Sequence, residues 1–170
     1  MATDRSPDNI VVGYPETDDC AITHAPVQAF LDYCRSVKPD GDFADRSRFD
    51  PFSLRPWLGY IMILEYQPEP DDFLYRIYGT RIAEHSGFDM TGRLVGDFES
   101  PTGSFFERLY REAIAECKLV YSEHTRVHAR YDCDWHRVIC PVKDGERIQL
   151  VVCNYPVKRP SAGGATESDP

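Results

Sequence analysis

Long apolar runs are missing from this chain of 170 residues, and so is any excess of positive charge. No stretch approaches the roughly 20 apolar residues that a membrane-spanning helix needs, and the N-terminus lacks the pattern of a secretion signal. The 28 acidic residues outnumber the 19 basic ones, which gives a net charge of −9. This charge argues against binding to nucleic acid or to an anionic membrane surface. We therefore expect a cytoplasmic protein with neither of these partners.

Paired cysteine motifs are also absent. No two of the six cysteines form a CxxC pair, which removes the commonest zinc and thioredoxin-like spacings. In a chain without a secretion signal, and long enough to bury a core, we expect reduced thiols and no disulfides. The cysteines are Cys20, Cys34, Cys117, Cys133, Cys140 and Cys153.

The glycine-rich segment YRIYGTRIAEHSGFDMTGR, residues 75–93, carries no familiar phosphate-binding or nucleophile motif. A P-loop needs GxxxxGK[ST], but Gly92 is followed by Arg93 and Leu94. The GxGxxG of a dinucleotide-binding turn and the GxSxG of a hydrolase elbow are missing from it as well. The residues alone indicate tight bends around a short connector.

Two stretches have the periodicity of amphipathic helices. In the first, residues 23–37, Thr23 can cap the helix and an apolar stripe runs along one side. The second is predicted to begin at Ser104, which forms a capping box with Glu107. Its apolar face contains Phe106, Leu109, Tyr110, Ala113, Ile114 and Cys117.

Five β-prone stretches complete the pattern. They are residues 57–66, 73–78, 119–130, 135–142 and 147–155. A long polar loop joins the first two, and Asp144-Gly145 supplies a tight turn between the last two. The order of elements predicts an α+β domain in which helices cover one face of a single antiparallel sheet.

Both ends of the chain have the composition of weakly ordered segments. Residues 1–21 carry prolines and many acidic side chains, so we expect a partly disordered N-terminal extension there. Residues 159–170 are small, polar and rich in glycine and proline, and are predicted to be a disordered tail. The folded unit is then a single domain over residues 22–158.

Several spaced motifs occur together in the middle of the chain. The segments RFDPFSLRPWLGYIMILEY and DDFLYRIYGTRIAEHSGFDMTGR contain the patterns dFDP, fxYRxxGT and GxDxTGR, and VICPV ends a later strand. With these motifs the chain resembles the stand-alone PAS domains of alphaproteobacteria known as the PAS_5 family. The resemblance implies a five-stranded sheet in the order 2-1-5-4-3, a flanking N-terminal helix, and helices that cover one face. Such folds hold either a small molecule or an apolar core between sheet and helices.

The resemblance does not specify a cofactor, because PAS domains bind flavin, haem, small acids or nothing. The Asn-Cys-Arg-Phe-Leu-Gln motif of flavin photosensors is absent. Haem-binding members use a histidine on the covering helices, and His85 is a lone connector histidine of the kind that is usually at the surface. We therefore expect neither flavin nor haem, and the ligand is unknown.

The second predicted strand contains a charged candidate for ligand binding. Strand alternation places Arg76 on the face of Leu74 and Tyr78, and a guanidinium among apolar neighbours needs an anionic partner. That partner is either an internal acceptor or the acidic group of a ligand. The candidate ligand-binding set is Arg76, Tyr78, Thr80 and His85.

A metal site is a rival interpretation of one hairpin. The potential ligands are His124, His128, Cys133, His136 and Cys140. A loop with an odd number of residues would place His128 opposite His136, whereas a two-residue turn would separate them. The spacing matches no established metal motif, so we expect ordinary cross-strand pairing and no metal.

These observations favour a non-catalytic sensory or regulatory module that binds a small molecule or a regulatory protein. A pure interaction adaptor with a filled core is the main alternative. A small cone-shaped α+β enzyme that uses Asp89 with His85 is a third hypothesis, because such folds perform general acid-base chemistry with an Asp-His pair. PAS-like domains use a leading helix to dimerise, so the resemblance also implies a homodimer. The apolar stripe of that helix must be covered by its own sheet or by another subunit, and the expected dimer contact contains Val27, Phe30 and Leu31, buried at it or beside it.

Overall fold

The computed structural model describes residues 10–17, 20–98, 100–125 and 133–158, and the predicted tail, 159–170, lies outside them. The strands are β1 (Ile10–Gly13), β2 (Ala44–Asp45), β3 (Ile61–Gln67), β4 (Asp72–Tyr78), β5 (Val120–Thr125), β6 (Cys133–Asp144) and β7 (Arg147–Lys158). The helices are α1 (Ala25–Val37), α2 (Thr80–Ser86) and α3 (Pro101–Glu116). Short 3₁₀ helices occur at Arg46–Phe49, Arg55–Trp57 and Val95–Asp97. The fold is α+β, as the sequence predicted.

A single sheet forms the centre of the domain, with the strand order β1-β5-β6-β7-β3-β4. Within it, the five strands expected from the sequence are neighbours in the order β4-β3-β7-β6-β5. The detail differs from the prediction because the sheet has two further strands. Strand β1 pairs with β5 at the edge, and the short β2 pairs in parallel with β6.

Strand β1 lies before residue 22, where the sequence analysis placed the start of the domain. Its four residues pair with β5 through backbone hydrogen bonds. Farther along, Glu16 forms an ion pair with Lys38 at 2.7 Å and accepts a hydrogen bond from the Leu119 N–H. The described part of the segment before residue 22 is therefore built into the sheet and its flanking helix.

Helix α1 corrects the expectation that helices cover one face. It packs with Ile61 and Ile63 of β3, whereas α2 and α3 pack with Met62 and Leu64 on the other face. The cause lies in the strands, because the apolar runs of β3, β6 and β7 present apolar side chains on both faces. Such a sheet is stable only when both faces are covered.

The start of α1 also differs from the prediction. The residue that caps the helix is His24, without a side-chain hydrogen bond, and the predicted cap Thr23 precedes it. Pro26 occupies the first turn, where its missing N–H costs no helical hydrogen bond. The carbonyl of Pro26 accepts a 2.8 Å hydrogen bond from the Trp57 indole, which ties this end of α1 to the chain before β3.

The apolar stripe of α1 is covered by its own protomer. Val27 and Phe30 are 0% exposed and Leu31 is 1% exposed. The Phe30 ring packs edge-on against Trp57, with 5.2 Å between the ring centroids. The chain's own sheet therefore covers the stripe, and the place of Val27, Phe30 and Leu31 at or beside a dimer contact stays a prediction. The homodimer itself stays a prediction.

Helix α3 begins earlier than predicted. Its cap is Ser100, whose hydroxyl accepts a 2.9 Å hydrogen bond from the Gly103 N–H, and Pro101 follows at the first helical position. The predicted cap, Ser104, lies exposed within the first turn. The predicted capping partner Glu107 instead forms an ion pair with a residue one turn farther along α3.

All six cysteines are free thiols, and burial raises the pKa of Cys34, which packs near Cys140 and Cys153 under α1. Among the described residues, the helices lack the length and apolarity to cross a membrane.

Candidate functional site

A cavity of about 160 Å³ lies between the sheet and the helices α2 and α3. This volume is close to the roughly 150 Å³ of an apolar protein cavity that admits benzene. Most of its wall is apolar and aromatic, including Ile82, Phe88, Met90, Val95, Phe98 and Trp135. The cavity can therefore enclose a small organic molecule.

The glycine-rich segment forms the entrance to α2 and one wall of this cavity. Where α2 begins, a Cβ added to Gly79 would lie 2.2 Å from the carbonyl oxygen of Gly59, so only glycine allows this approach. The same carbonyl accepts hydrogen bonds from the Arg81 and Ile82 N–H groups. At the other end, Gly87 terminates α2 with a φ of 83°. The motif is thus a scaffold around the cavity.

The exit of this segment returns to the edge of the sheet. Gly92 donates a hydrogen bond to the Tyr75 carbonyl at 2.8 Å, and the Tyr75 N–H donates to the Arg93 carbonyl at 3.0 Å. Before this, Asp89 accepts hydrogen bonds from the N–H and hydroxyl of Thr91, which closes the turn. The connector therefore lies along β4 and closes the cavity on that side.

A β-bulge in β4 changes the predicted facing of its side chains. Ile77 pairs with Ile63 and Tyr75 pairs with Leu64, so Arg76 is an extra residue between the two pairs. Because of the bulge, Tyr75 and Tyr78 lie on the same face, with 5.4 Å between their ring centroids. Both line the cavity, whereas strand alternation had placed Tyr78 with Arg76.

Arg76 lies outside the cavity, on the face of the sheet that carries α1. Its guanidinium forms an ion pair with Glu65 at 2.7 Å, and its side chain is 49% exposed. Glu65 is 5% exposed and accepts further hydrogen bonds from Gln149 and Gln67. The hydrogen bond from Arg76 is the largest cause that lowers the pKa of Glu65 to about 2. Of the two predicted partners for Arg76, the structure has the internal acceptor.

The remaining predicted ligand-binding residues have different positions. Tyr78 is in the cavity wall. Thr80 is exposed in the first turn of α2, and it is not among the cavity-lining residues. His85 is half-buried, with Nδ1 2.8 Å from the Arg81 carbonyl oxygen and its ring edge-on to Trp135. The structure therefore brings one of the four predicted residues, Tyr78, into the cavity.

The sequence analysis missed the charged residue that the cavity does contain. Arg137 of β6 lines it and is 7% exposed. Its neighbours across the sheet are Ser122 of β5 and Asn154 of β7, which are also buried. Among the described residues, Nε and Nη1 of Arg137 have no hydrogen-bond partner, nor do the Ser122 hydroxyl and the Asn154 amide oxygen. A row of polar groups thus crosses the buried face of the sheet.

Aromatic rings surround the guanidinium of Arg137. Its Cζ lies 3.5 Å from the Phe106 ring centroid and 5.9 Å from that of Tyr110. Burial raises the pKa of Tyr75, the neighbouring Tyr110 raises it further, and the charge of Arg137 opposes both effects. Tyr75 therefore keeps its proton, and its hydroxyl is hydrogen-bonded with Tyr110. The combination can hold an anion or a carbonyl group.

A sequence signal for Arg137 did exist. In the run WHRVI, strand alternation places Arg137 on the same face as Trp135 and Ile139, both apolar. The same alternation argument was applied to Arg76, but there the β-bulge in β4 changes which side chains share a face. Strand β6 is regular over all twelve pairs with β7, so the alternation holds there.

The histidine and cysteine hairpin is divided between the two faces. His124 pairs with Trp135 on the cavity face, and His136 pairs with Glu123 on the α1 face. His136 is also 2.9 Å from the Tyr121 hydroxyl, which is ordinary cross-strand pairing. His128 lies in residues 126–132, outside the described residues. Among the described residues, no three histidine, cysteine or acidic side chains gather as a metal site.

Comparison with known families now adds to this geometry. The PAS_5 family, described as a PAS domain, matches residues 22–132, which is more than half of the chain. No curated protein and no solved structure gives a significant match. The matched residues include α1, the motif-rich connector and the helices that cover the cavity. The chain therefore belongs to the PAS_5 family of PAS domains.

Proposed function

We propose that this domain is a sensory or regulatory module that binds a small molecule in the cavity between its sheet and helices α2 and α3. PAS domains are in general sensory modules, and the family membership supports that level of function. The observation that carries the specific proposal is the cavity itself, with a buried arginine in its wall. A domain that served only as an adaptor would gain stability from filling this space with side chains.

Ligand binding in the cavity can alter the protein surface through two stacked aromatic residues. Phe88 and Phe98 line the cavity and stack on each other, with 5.1 Å between their ring centroids. Both are half-buried, so one side of the pair faces the cavity and the other is accessible to solvent. A bound molecule that contacts these rings alters the surface of the connector, where a regulatory partner can detect it.

The proposal does not include catalysis. In the alternative of a cone-shaped enzyme, Asp89 would act with His85 as an acid-base pair. Asp89 instead accepts two hydrogen bonds from Thr91, which lower its pKa, and it is exposed. These contacts explain its role as a turn residue and leave the enzyme hypothesis without support. A homodimer, a regulatory protein partner and a cytoplasmic location belong to the proposal as predictions.

A pair of variants in one turn of α3 tests whether the cavity binds small molecules. Thr102 lines the cavity, whereas Ser104 of the same turn is exposed. We expect Thr102→Phe to occupy part of the cavity and Ser104→Phe to leave it open. A thermal-shift screen against small organic acids and amides, with native mass spectrometry of the positive compounds, compares the two variants with the wild type.

The expected result is that compounds stabilise the wild type and Ser104→Phe, and that Thr102→Phe loses this stabilisation. If no compound binds the wild type, or if Thr102→Phe binds the same compounds equally well, the cavity is not the binding site and the proposal fails.

A further inference from the structure

We propose that the cavity is specific for a small organic monoanion, a carboxylate with an apolar body about the size of benzene, and that Arg137 binds the carboxylate. This inference rests on the proposed function, because it identifies the class of molecule that the cavity takes. Arg137 lies beyond residues 22–132, so the family match assigns it no role.

The positive charge of Arg137 has no anionic partner among the described residues. Arg137 is 7% exposed, and its Nε and Nη1 have no hydrogen-bond acceptor among the described residues. A buried cation without an anionic partner loses its hydration, and the contact of Arg137 with the Phe106 ring offsets only part of that cost. An anion in the cavity would supply the missing acceptors.

Two other arginines of the chain, Arg111 and Arg76, form ion pairs with carboxylates. Arg111 forms ion pairs with Asp71 at 2.8 Å and Glu107 at 2.7 Å, and it is far more exposed than Arg137. Arg76 pairs with the buried Glu65. None of the ion pairs formed by the described residues includes Arg137.

The geometry around Arg137 favours a planar acceptor such as a carboxylate. The ring of Phe106 covers the guanidinium at 3.5 Å, so the N–H groups in its plane remain for hydrogen bonds. Tyr75 and Asn154 line the same cavity and add polar side-chain groups to its wall. The two oxygens of a carboxylate can accept hydrogen bonds from two N–H groups of one guanidinium.

The apolar part of the cavity wall determines which body the carboxylate ligand can carry. Beyond these polar groups it is formed mainly by apolar and aromatic side chains, which favour a hydrocarbon or aromatic body. Among the described lining residues, Arg137 is the one arginine or lysine. One buried cation matches one negative charge, and a dianion such as phosphate would retain an uncompensated charge against an apolar wall.

Isothermal titration calorimetry with matched probes tests this specificity. Sodium benzoate and benzamide have nearly the same shape and differ in charge, and butyrate with butyramide forms a smaller pair. The wild type is titrated with each probe in chloride buffer. The same titrations are made with Arg137→Gln and with Arg76→Gln, a control that changes an arginine on the opposite face of the sheet.

We expect the wild type to bind the carboxylate of at least one pair about tenfold or more tightly than its amide, because charge-assisted hydrogen bonds discriminate by this factor. Arg137→Gln removes that preference, with amide binding retained, and Arg76→Gln keeps it. The wild-type comparison decides the charge preference even if Arg137→Gln does not fold.

Two results would overturn the inference in distinguishable ways. Equal affinity for carboxylate and amide in the wild type, or loss of carboxylate binding in Arg76→Gln alone, refutes the anion site but leaves small-molecule binding intact. Failure of all four probes to bind the wild type refutes the stated ligand class. If the broader screen with Thr102→Phe also finds no cavity-bound compound, the proposed function fails with it.

Discussion

Arg137 and Arg76 lie in the same sheet, yet their surroundings are opposite. Arg76 is half exposed and paired with Glu65, whereas Arg137 is buried against Phe106, with nitrogens that have no acceptor among the described residues. The chemistry of each residue is set by what its face of the sheet offers. Each arginine therefore makes its own prediction about stability.

For Arg137, we predict that Arg137→Met stabilises the domain in the absence of carboxylates. The substitution removes a desolvated charge and leaves an apolar side chain of similar length beside Phe106. The expected increase in the free energy of unfolding is about 1 to 2 kcal/mol, because the cation–π contact offsets part of the desolvation cost. Urea unfolding in chloride buffer measures it. A clear loss of stability would mean that the protein itself satisfies the guanidinium.

For Arg76, we predict a destabilisation that depends on pH. At pH 7, Arg76→Ala should lower the free energy of unfolding by a small amount, because half of the Arg76 side chain is exposed and solvent screens the ion pair. Its hydrogen bond to Glu65 contributes most to the depressed pKa of Glu65, about 2 in the fold against a usual 4.5.

A depressed carboxyl pKa stabilises the fold above the unfolded pKa, and this stabilisation is lost as pH falls toward the folded pKa. The difference between wild type and Arg76→Ala should therefore be constant above about pH 5.5 and shrink as pH falls from about 4.5 toward 2. Urea unfolding at a series of pH values measures it. A difference that stays constant over that window would exclude Glu65 as the source.

At the scale of elements, features that depend on local sequence were predicted, and features that depend on tertiary contacts were not. The periodicity of α1 and α3 predicted both helices, and the family motifs predicted the order of the five central strands. The face of the sheet on which each β4 side chain lies could not be predicted, because the bulge at Arg76 depends on the pairing of β4 with β3. The helix caps at Thr23 and Ser104 were chosen from residue type, and the chain enters each helix at a different residue.

The cap of α3 provides a prediction at this scale. Ser100→Ala should lower the free energy of unfolding by about 1 kcal/mol, because the Gly103 N–H loses its acceptor. Ser104→Ala is the matched control, since Ser104 is exposed in the same helix and a surface change to alanine there is expected to be nearly neutral. Thermal unfolding of both variants compares the two positions. Equal effects would contradict the assigned cap.

At the scale of the whole molecule, a sheet with two apolar faces explains why both the cavity and α1 are parts of one domain. The sequence analysis expected helices on one face of the sheet, and so it could not decide whether the sheet or a second subunit covers the stripe of α1. The apolar runs in β6 and β7 already carried the missing information, because their residues are buried on both faces. The burial of Arg137 was not predicted either. The sequence analysis considered the histidines and cysteines of β6 and did not use the alternation that places Arg137 with Trp135 and Ile139.

The position of α1 predicts the outcome of a charged substitution. Phe30→Asp should unfold the domain instead of producing a folded monomer, because Phe30 is 0% exposed and contacts Trp57 in the core. Circular dichroism and light scattering at micromolar concentration measure folding and mass together. A folded variant of reduced mass, formed from a dimeric wild type, would restore α1 as the contact between subunits.

The central claim is that a small carboxylate binds Arg137 inside the cavity. The most direct measurement is the ¹H–¹⁵N NMR signal of the Arg137 Nε–H, assigned by its loss in Arg137→Gln and followed as sodium benzoate or benzamide is added. The account predicts that benzoate shifts this signal, that benzamide shifts it far less, and that the Arg76 Nε–H is unchanged. An Arg137 signal that stays in place at saturating benzoate, or a shift at Arg76 in its stead, would contradict the claim.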